Sequence, residues 1–132
     1  MKFADTSDFK FILGTNLLTN NMIKSRGQWP IDIFSKKLYK NSILYGVGRT
    51  FYNNNNIDIY TKYIYDYILR EDIIHSVRDE EGKVFIEKLN RKAINTGCPT
   101  LWNLNENHCS KILKTKSSRV VITLSGQKNI RI

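Results

Sequence analysis

The chain has 132 residues, of which 41% are hydrophobic, so it is long enough to bury the core of one domain and too short for two. Its net charge is +9, but the lysines and arginines are scattered and no recognised nucleic-acid-binding module accompanies them, so we interpret the charge as a solvated basic surface. No apolar run of about 18 residues and no apolar centre of a signal peptide is found, which predicts no membrane span and a cytoplasmic location.

The N-terminal part of the chain contains one strand signal followed by a polar stretch. Residues 9–13 are mostly apolar and predict a buried strand that ends at Gly14. Residues 15–26 are mostly polar, and their spaced apolar residues predict a short docked helix that uses Leu17, Leu18 and Met22.

The middle of the chain alternates helix and strand signals. Pro30 suits the first turn of a helix that would run to residue 39. Residues 42–45 predict a second strand, which is stopped by Gly46-Val47-Gly48. Residues 57–70 then predict an amphipathic helix whose buried face packs into the core and contains Tyr60, Ile64, Tyr67 and Ile68.

A strand followed by a capped helix is predicted next. Residues 73–77 are short, apolar and rich in strand-forming residues, and Arg78 follows at the strand end. Asp79 is predicted to be the N-cap of a helix that begins at Glu80, where carboxylates favour the positive end of the helix dipole. The apolar stripe of this helix is expected to contain Val84, Phe85 and Leu89.

Residues 93–94 predict one more strand, which ends in a loop that Pro99 stops. Strand, helix and strand within about 30 residues have the size of a parallel βαβ unit. Ligands of such sheets bind outside the carboxyl ends of the strands, where Arg78 and residues 96–100 are expected to lie.

Several separated motifs in the chain resemble those of the polysaccharide pyruvyl transferase family. One block reads HSVRDEE, and it is followed by INTGCPTLWNL and NHC. Upstream, the chain reads FILGTNLLTNNM, then QW, then ILYGVG before YTKYIYDYIL, in the order that the family shows. The resemblance covers nearly the whole chain, and several blocks in order are more specific than any single one.

The resemblance implies an α/β fold with a Rossmann-like parallel sheet flanked by helices, similar to one lobe of a two-lobed glycosyltransferase-B-like enzyme. Residues 1–112 would form the N-terminal lobe without its first elements, and residues 113–132 a linker and the first strand of a truncated second lobe. A lobe without its partner would expose the face between them, so self-association is expected. Besides this short length, the chain departs from the family pattern in having the single Gly14 and in having Arg49-Thr50 where aromatic residues are usual.

The resemblance also implies a reaction. Phosphoenolpyruvate would donate its pyruvyl group to two hydroxyls of a sugar or polysaccharide acceptor, which forms a cyclic ketal and releases phosphate; no other cofactor is expected. A guanidinium holds a carboxylate or phosphate through two parallel hydrogen bonds. Arg78 matches the arginine of the family's VRD block and is expected to hold the donor. The alternative is an ion pair of Arg78 with Asp79 or Glu81.

The other candidates are small or polar residues at predicted strand ends. Gly46 and Gly48 either let a loop approach phosphate or sugar or form a tight turn between strand and helix. Asn16 either lines the acceptor pocket or caps a helix, and Trp102 either stacks on a sugar or closes the lobe as a buried residue. The residues expected to bind substrate are Arg78, Gly14, Thr15, Asn16, Gly46, Gly48, Thr96, Gly97 and Thr100.

The histidines and cysteines give no clear catalytic or metal signal. Ketal formation needs an acid and a base, and the resemblance places the histidine for this role in the second lobe. His75 lies in an apolar strand and is predicted to be a hydrogen-bonded core residue. His108, Cys98 and Cys109 match no standard zinc spacing, so no metal site is predicted, and the cysteines are expected to be reduced.

Two alternatives to catalysis stay open. A non-catalytic fragment that binds carbohydrate or anions is suggested by the missing half of the enzyme. A nucleic-acid-binding domain is suggested by charge alone and is not the function that we favour.

Overall fold

The structure is a computed structural model that describes residues 7, 9–23, 29, 31–50, 56–112 and 115. Within these ranges the strands are β1 (Lys10–Leu13), β2 (Asn16–Leu18), β3 (Ser42–Tyr45), β4 (Gly48–Arg49), β5 (Ile74–Val77) and β6 (Lys92–Asn95). The α-helices are α1 (Ile59–Ile68), α2 (Glu80–Lys88) and α3 (Glu106–Ser110), and short 3₁₀ helices span Lys36–Tyr39 and Pro99–Leu101. Pro30 and, apart from residue 115, the linker and second-lobe strand predicted over residues 113–132 lie outside the described residues.

The strands pair in parallel, which confirms an α/β chain. β1 pairs with β3. β5 pairs with β6, and α2 connects these two strands in the chain, so the predicted parallel βαβ unit is confirmed. A parallel bridge between Val47 and Val77 joins the two pairs, and the amide of Arg78 donates to the carbonyl of Val47 at 3.1 Å. The resulting spatial order is β1, β3, β5, β6.

Two adjacent strands are each interrupted by a break and then resume. Gly14 and Thr15 have φ of +37° and +60° and separate β1 from β2, and Gly46 has φ of +65° and lies between β3 and β4. The pairing continues beyond both breaks, because β2 is parallel to β4 and Thr50 donates its amide to the carbonyl of Leu18 at 2.8 Å. The helix predicted after residue 15 is therefore wrong, because cross-strand hydrogen bonding overrides the local pattern.

Helices α1 and α2 cover the same face of the sheet. Tyr65 of α1 and Phe85 of α2 meet edge to face with ring centroids 5.4 Å apart, and both belong to one core cluster with Leu44 and Val77. Burial of such aromatic pairs contributes on the order of 1 kcal/mol beyond the area that they remove from water. The tyrosine-rich face of α1 is thus confirmed as core, although Tyr65, which was not expected there, is its fully buried tyrosine.

Helix α2 follows its predicted start but not its predicted stripe. Asp79 is the N-cap, and its Oδ1 accepts from the amide of Gly82 at 2.6 Å, which confirms the capping prediction. Ile86 is fully buried, whereas Val84 is 43% exposed and its assignment to the core stripe was wrong. The buried face of α2 is therefore rotated about the helix axis from the predicted face, toward Ile86 and away from Val84.

His75 completes the sheet between β3 and β5. Its Nδ1 accepts from the amide of Leu44 at 3.2 Å, and its Nε2 donates to the carbonyl of Arg70 at 3.0 Å. The imidazole thereby provides the hydrogen-bond partners of the Leu44 amide and the Arg70 carbonyl. The prediction of a fully hydrogen-bonded core histidine is confirmed.

The opposite face of the sheet is largely exposed in the described part of the chain, although Ile43 on that face is buried. Strand β1 was expected to be buried, but Phe11 and Leu13 are 57% and 66% exposed because β1 is an edge strand and these side chains point away from the helices. Ile74 and Ile94 extend the same exposed apolar surface. The helix predicted to reach residue 39 appears within the described residues only as the 3₁₀ turn Lys36–Tyr39.

Candidate functional site

Most predicted substrate-binding residues lie at the carboxyl ends of the parallel strands, and this end of the sheet is the edge referred to below. Gly14 and Thr15 follow β1, Gly46 follows β3, Arg78 follows β5, and Thr96 follows β6. These positions are neighbours because the strands pair in parallel register. Ligands of open parallel sheets bind at the carboxyl ends of the strands, so this edge is the candidate site.

Arg78 is the centre of a polar cluster at this edge. Its Nη2 donates to Oδ1 of Asn16, which lies in β2 and not at a helix start. The ion pair with Asp79 that was the alternative role of Arg78 is also present, with Nε 4.0 Å from Oδ2, a distance too long for a hydrogen bond. The side chain of Arg78 is 28% exposed, so the guanidinium is held by a neutral amide and remains accessible from solvent.

Gly48 provides the space in which this cluster forms. A Cβ at Gly48 would collide with Nε of Arg78 and lie 2.7 Å from Oδ2 of Asp79 and 2.8 Å from Oδ1 of Asn16. The absence of a side chain therefore lets the arginine, the carboxylate and the amide converge. In the structure it is these side chains that fill the space beside Gly48.

Asp79 and Arg49 support the cluster, and neither was among the predicted site residues. Besides capping α2, Asp79 accepts from the amide of Arg49 through Oδ2 at 3.3 Å, which ties the helix start to β4. Arg49 is 5% exposed, donates from Nη2 to Oδ1 of Asn20 at 2.7 Å, and places its guanidinium 5.5 Å from the ring centre of Phe85. One indication of the role of Arg49 was visible in the sequence, because this arginine stands where the family resemblance leads us to expect an aromatic residue.

The loop after β6 is anchored to the end of β5 and to the break after β3. The amide of Thr96 donates to the carbonyl of Val77 at 2.8 Å, and its hydroxyl shares a hydrogen bond with Oγ of Ser76 at 2.7 Å. The ring of Pro99 lies against Gly46, where a Cβ would be 2.6 Å from Cδ of the proline. Gly46 is thus required both for its positive φ and for this contact.

Cys98 faces the cluster and was also missed as a site residue. Its Sγ lies 3.0 Å from the hydroxyl of Thr100. Hydrogen bonding from Thr100, together with the nearby charge of Arg78, lowers the pKa of the Cys98 thiol below its usual range. Thr100 and the Cys98 thiol therefore lie near the guanidinium of Arg78. Cys98 and Cys109 are both free in the structure.

Gly14 and Gly97 border open space. Both have positive φ, +37° and +70°, and a Cβ added at either would have nothing within 4 Å. Their backbones are therefore accessible to a bound group, in contrast to those of Gly46 and Gly48. This difference separates the four predicted glycines into two that pack against protein and two that face outward.

Trp102 is not the buried residue that closes the lobe. It is 44% exposed, and its Nε1 donates to the carbonyl of Thr96 at 2.8 Å. Its ring meets Tyr45, the last residue of β3, edge to face with centroids 5.3 Å apart. The burial prediction fails because the 3₁₀ turn Pro99–Leu101 carries Trp102 over the edge of the sheet rather than into the core.

The sequence pattern of one protein family, polysaccharide pyruvyl transferase, matches residues 2–131 of this chain. The chain belongs to the polysaccharide pyruvyl transferase family. No curated protein and no solved structure matches it. The family match spans every residue of the cluster around Arg78, so the geometry described above is that of a pyruvyl transferase family member.

The two histidines of this family member are not part of the cluster around Arg78. Both ring nitrogens of His75 bond to backbone groups, and burial lowers the pKa of its imidazole. His108 lies in the exposed helix α3, whose N-cap Asn105 accepts from the amide of His108 at 2.9 Å. Among the described residues, no group of three or more histidine, cysteine or acidic side chains is arranged to hold a metal.

An open groove of about 610 Å³ lies at the opposite edge of the sheet. It is lined by residues that precede β3 and β5, including Asn41, and by the ion pair of Arg70 with Asp72, whose atoms are 2.6 Å apart. Because it borders the amino ends of the strands, it is not where a parallel sheet binds its principal ligand. None of the helices in the described ranges has the length and apolar character needed to cross a membrane.

Proposed function

We propose that this chain forms the donor-binding part of an enzyme that transfers a pyruvyl group from phosphoenolpyruvate to a polysaccharide. Two hydroxyls of one sugar add to the enol carbon of the donor, its methylene carbon gains a proton, and phosphate leaves, which yields a cyclic ketal. The family match and the position of Arg78 after β5 together support the proposal. Phosphoenolpyruvate acts here as a substrate, and the proposal needs no further cofactor.

Arg78 is suited to the donor because its charge is not neutralised by a short ion pair. Asn16 holds the guanidinium through a neutral amide oxygen, and a carboxylate or phosphate is a stronger acceptor than an amide. Exchange of Asn16 for the donor would then make two parallel hydrogen bonds. Thr15, Thr96 and Thr100 follow the strands or their loops at the same edge, and with the open backbones of Gly14 and Gly97 they complete the proposed binding surface.

The test is binding of phosphoenolpyruvate, measured by calorimetry on this chain and on Arg78→Ala. We expect saturable binding that weakens at least tenfold in the variant, because a charge-assisted bidentate contact is lost. Arg70→Ala is the matched control, since Arg70 carries the same charge at the opposite edge of the sheet and pairs with Asp72. Equal weakening in both variants would show a general charge effect and overturn the assignment of Arg78.

Cys98 offers an independent readout of the same site. Hydrogen bonding from Thr100 and, to a smaller extent, the charge of Arg78 lower the pKa of Cys98. A bound anion would shield the thiol and offset the Arg78 charge, so phosphoenolpyruvate should slow alkylation of Cys98 by iodoacetamide. Alkylation of the exposed Cys109 in the same sample should not change. Protection of both cysteines, or of neither at a saturating donor concentration, would contradict binding beside Arg78.

A non-catalytic binding role is the second candidate, and it is supported by the absence of a histidine from the cluster around Arg78 within the described residues: His108 lies in the exposed helix α3, and His75 lies in β5. His75 is enclosed by the sheet and cannot deliver a proton to the donor's methylene carbon. The two roles are separated by incubating the chain with phosphoenolpyruvate and an oligosaccharide and searching for the ketal by mass spectrometry. Donor binding without ketal supports the binding role, whereas ketal formation supports the transferase.

A further inference from the structure

We infer that Tyr45 and Trp102 form a stacking platform for a pyranose ring of the acceptor polysaccharide. This inference deepens the proposed function, since it names where the acceptor lies relative to the donor. The two side chains are 39% and 44% exposed although both are large and aromatic. Both rings can therefore be reached by a ligand.

The platform is rigid. The rings of Tyr45 and Trp102 are nearly perpendicular, at 85°, with centroids 5.3 Å apart, which is a favourable edge-to-face arrangement. The hydrogen bond from Nε1 of Trp102 to the carbonyl of Thr96 fixes the indole, and Thr96 is itself bonded to the end of β5. A preformed aromatic surface loses little conformational entropy when it binds a ligand.

Its position fits an acceptor subsite. Tyr45 is the last residue of β3, and Trp102 lies in the loop that contains Cys98 and Thr100. The platform is therefore adjacent to the end of the sheet at which Arg78 lies. The apolar C–H face of a pyranose packs on aromatic rings, while its hydroxyls remain free to hydrogen-bond. A sugar on the platform would therefore lie beside the proposed donor with its hydroxyls at the sheet edge.

The probe is methyl β-D-galactopyranoside, whose lower face presents contiguous C–H groups, followed by proton–nitrogen NMR of the two indole N–H signals. We expect a saturable shift of the Trp102 signal and no shift of Trp29, which is buried. Binding of the sugar to the variants is measured by calorimetry, because Trp102→Ala has no Trp102 signal. Trp102→Ala and Tyr45→Ala should each bind the sugar at least tenfold more weakly, and Tyr45→Phe, which keeps the ring, should bind it within about threefold of the parent chain. Ile94→Ala is the matched control, because Ile94 is an exposed apolar residue outside the platform.

The experiment separates this inference from the donor site. Calorimetry with phosphoenolpyruvate on the parent chain measures donor binding independently of sugar binding. Sugar binding with no donor binding would support the platform and overturn the donor proposal, whereas donor binding with no Trp102 shift would overturn the platform alone. A Trp102 shift that follows protein concentration rather than sugar concentration would show a contact between two copies of the chain and would also overturn the platform.

Discussion

Replacing His75 tests the idea that a side chain completes the sheet. In His75→Ala, the amide of Leu44 loses its acceptor at a fully buried position, and the carbonyl of Arg70 loses its donor. A buried polar group without a partner costs about 1–3 kcal/mol, and the vacated imidazole space adds a cavity cost. Because Arg70 is partly exposed and its carbonyl can recruit water, we expect the free energy of unfolding to fall by about 3–4 kcal/mol in total.

The assay is urea denaturation followed by circular dichroism at pH 7.5. With a denaturant slope of about 2 kcal/mol/M, the midpoint should fall by roughly 1.5–2 M. His75→Asn should recover part of the loss, because its Oδ1 takes the place of Nδ1 and can accept from Leu44. His108→Ala, at an exposed position, is the control and should change stability by less than about 0.5 kcal/mol. A loss below about 1 kcal/mol in His75→Ala would refute the reasoning.

The burial of His75 also leads us to expect that the stability of the fold depends on pH. Burial, aided by the charge of Arg91, lowers the pKa of His75 in the folded chain below its ordinary value of 6.5. Above pH 6.5 both states are neutral and stability is complete; below it the unfolded chain binds a proton that the folded chain does not. Stability should therefore fall as the pH drops below 6.5, by at most about 1.4 kcal/mol per unit, until the folded pKa is reached. This component should be missing from His75→Asn, and an unchanged slope in that variant would contradict the assignment.

Three further substitutions test other parts of the fold by urea denaturation. Gly46→Ala should destabilise by about 2 kcal/mol or more, because φ is +65° and the ring of Pro99 occupies the space; a neutral result would show that the loop is not seated there. Asp79→Ala should cost about 1 kcal/mol through loss of the helix N-cap, and Asp79→Asn should restore most of it. Tyr65→Phe should cost about 1–3 kcal/mol, because the buried amide of Thr19 loses its acceptor at 3.1 Å; a cost near zero would mean that water replaces the hydroxyl.

Patterns among neighbouring residues predicted β1, β3, β5, β6 and the helices α1 and α2 in their observed order. A short apolar run, an arginine, an aspartate and two glutamates predicted β5, the N-cap of α2 and the position of Arg78, because capping and strand propensity depend on neighbouring residues. The family resemblance, carried by motifs in order, was confirmed by the match over residues 2–131.

Tertiary structure decided which side chains meet. The pairing of β2 with β4 replaced a predicted helix, because hydrogen bonds between strands distant in the chain outweigh a weak local pattern. The register of those strands brought Asn16, Gly48 and Arg78 together, and the 3₁₀ turn after β6 placed Trp102 at the surface beside Tyr45. Such contacts depend on how far each strand extends before it breaks, and that distance is set by partners across the sheet rather than by adjacent residues.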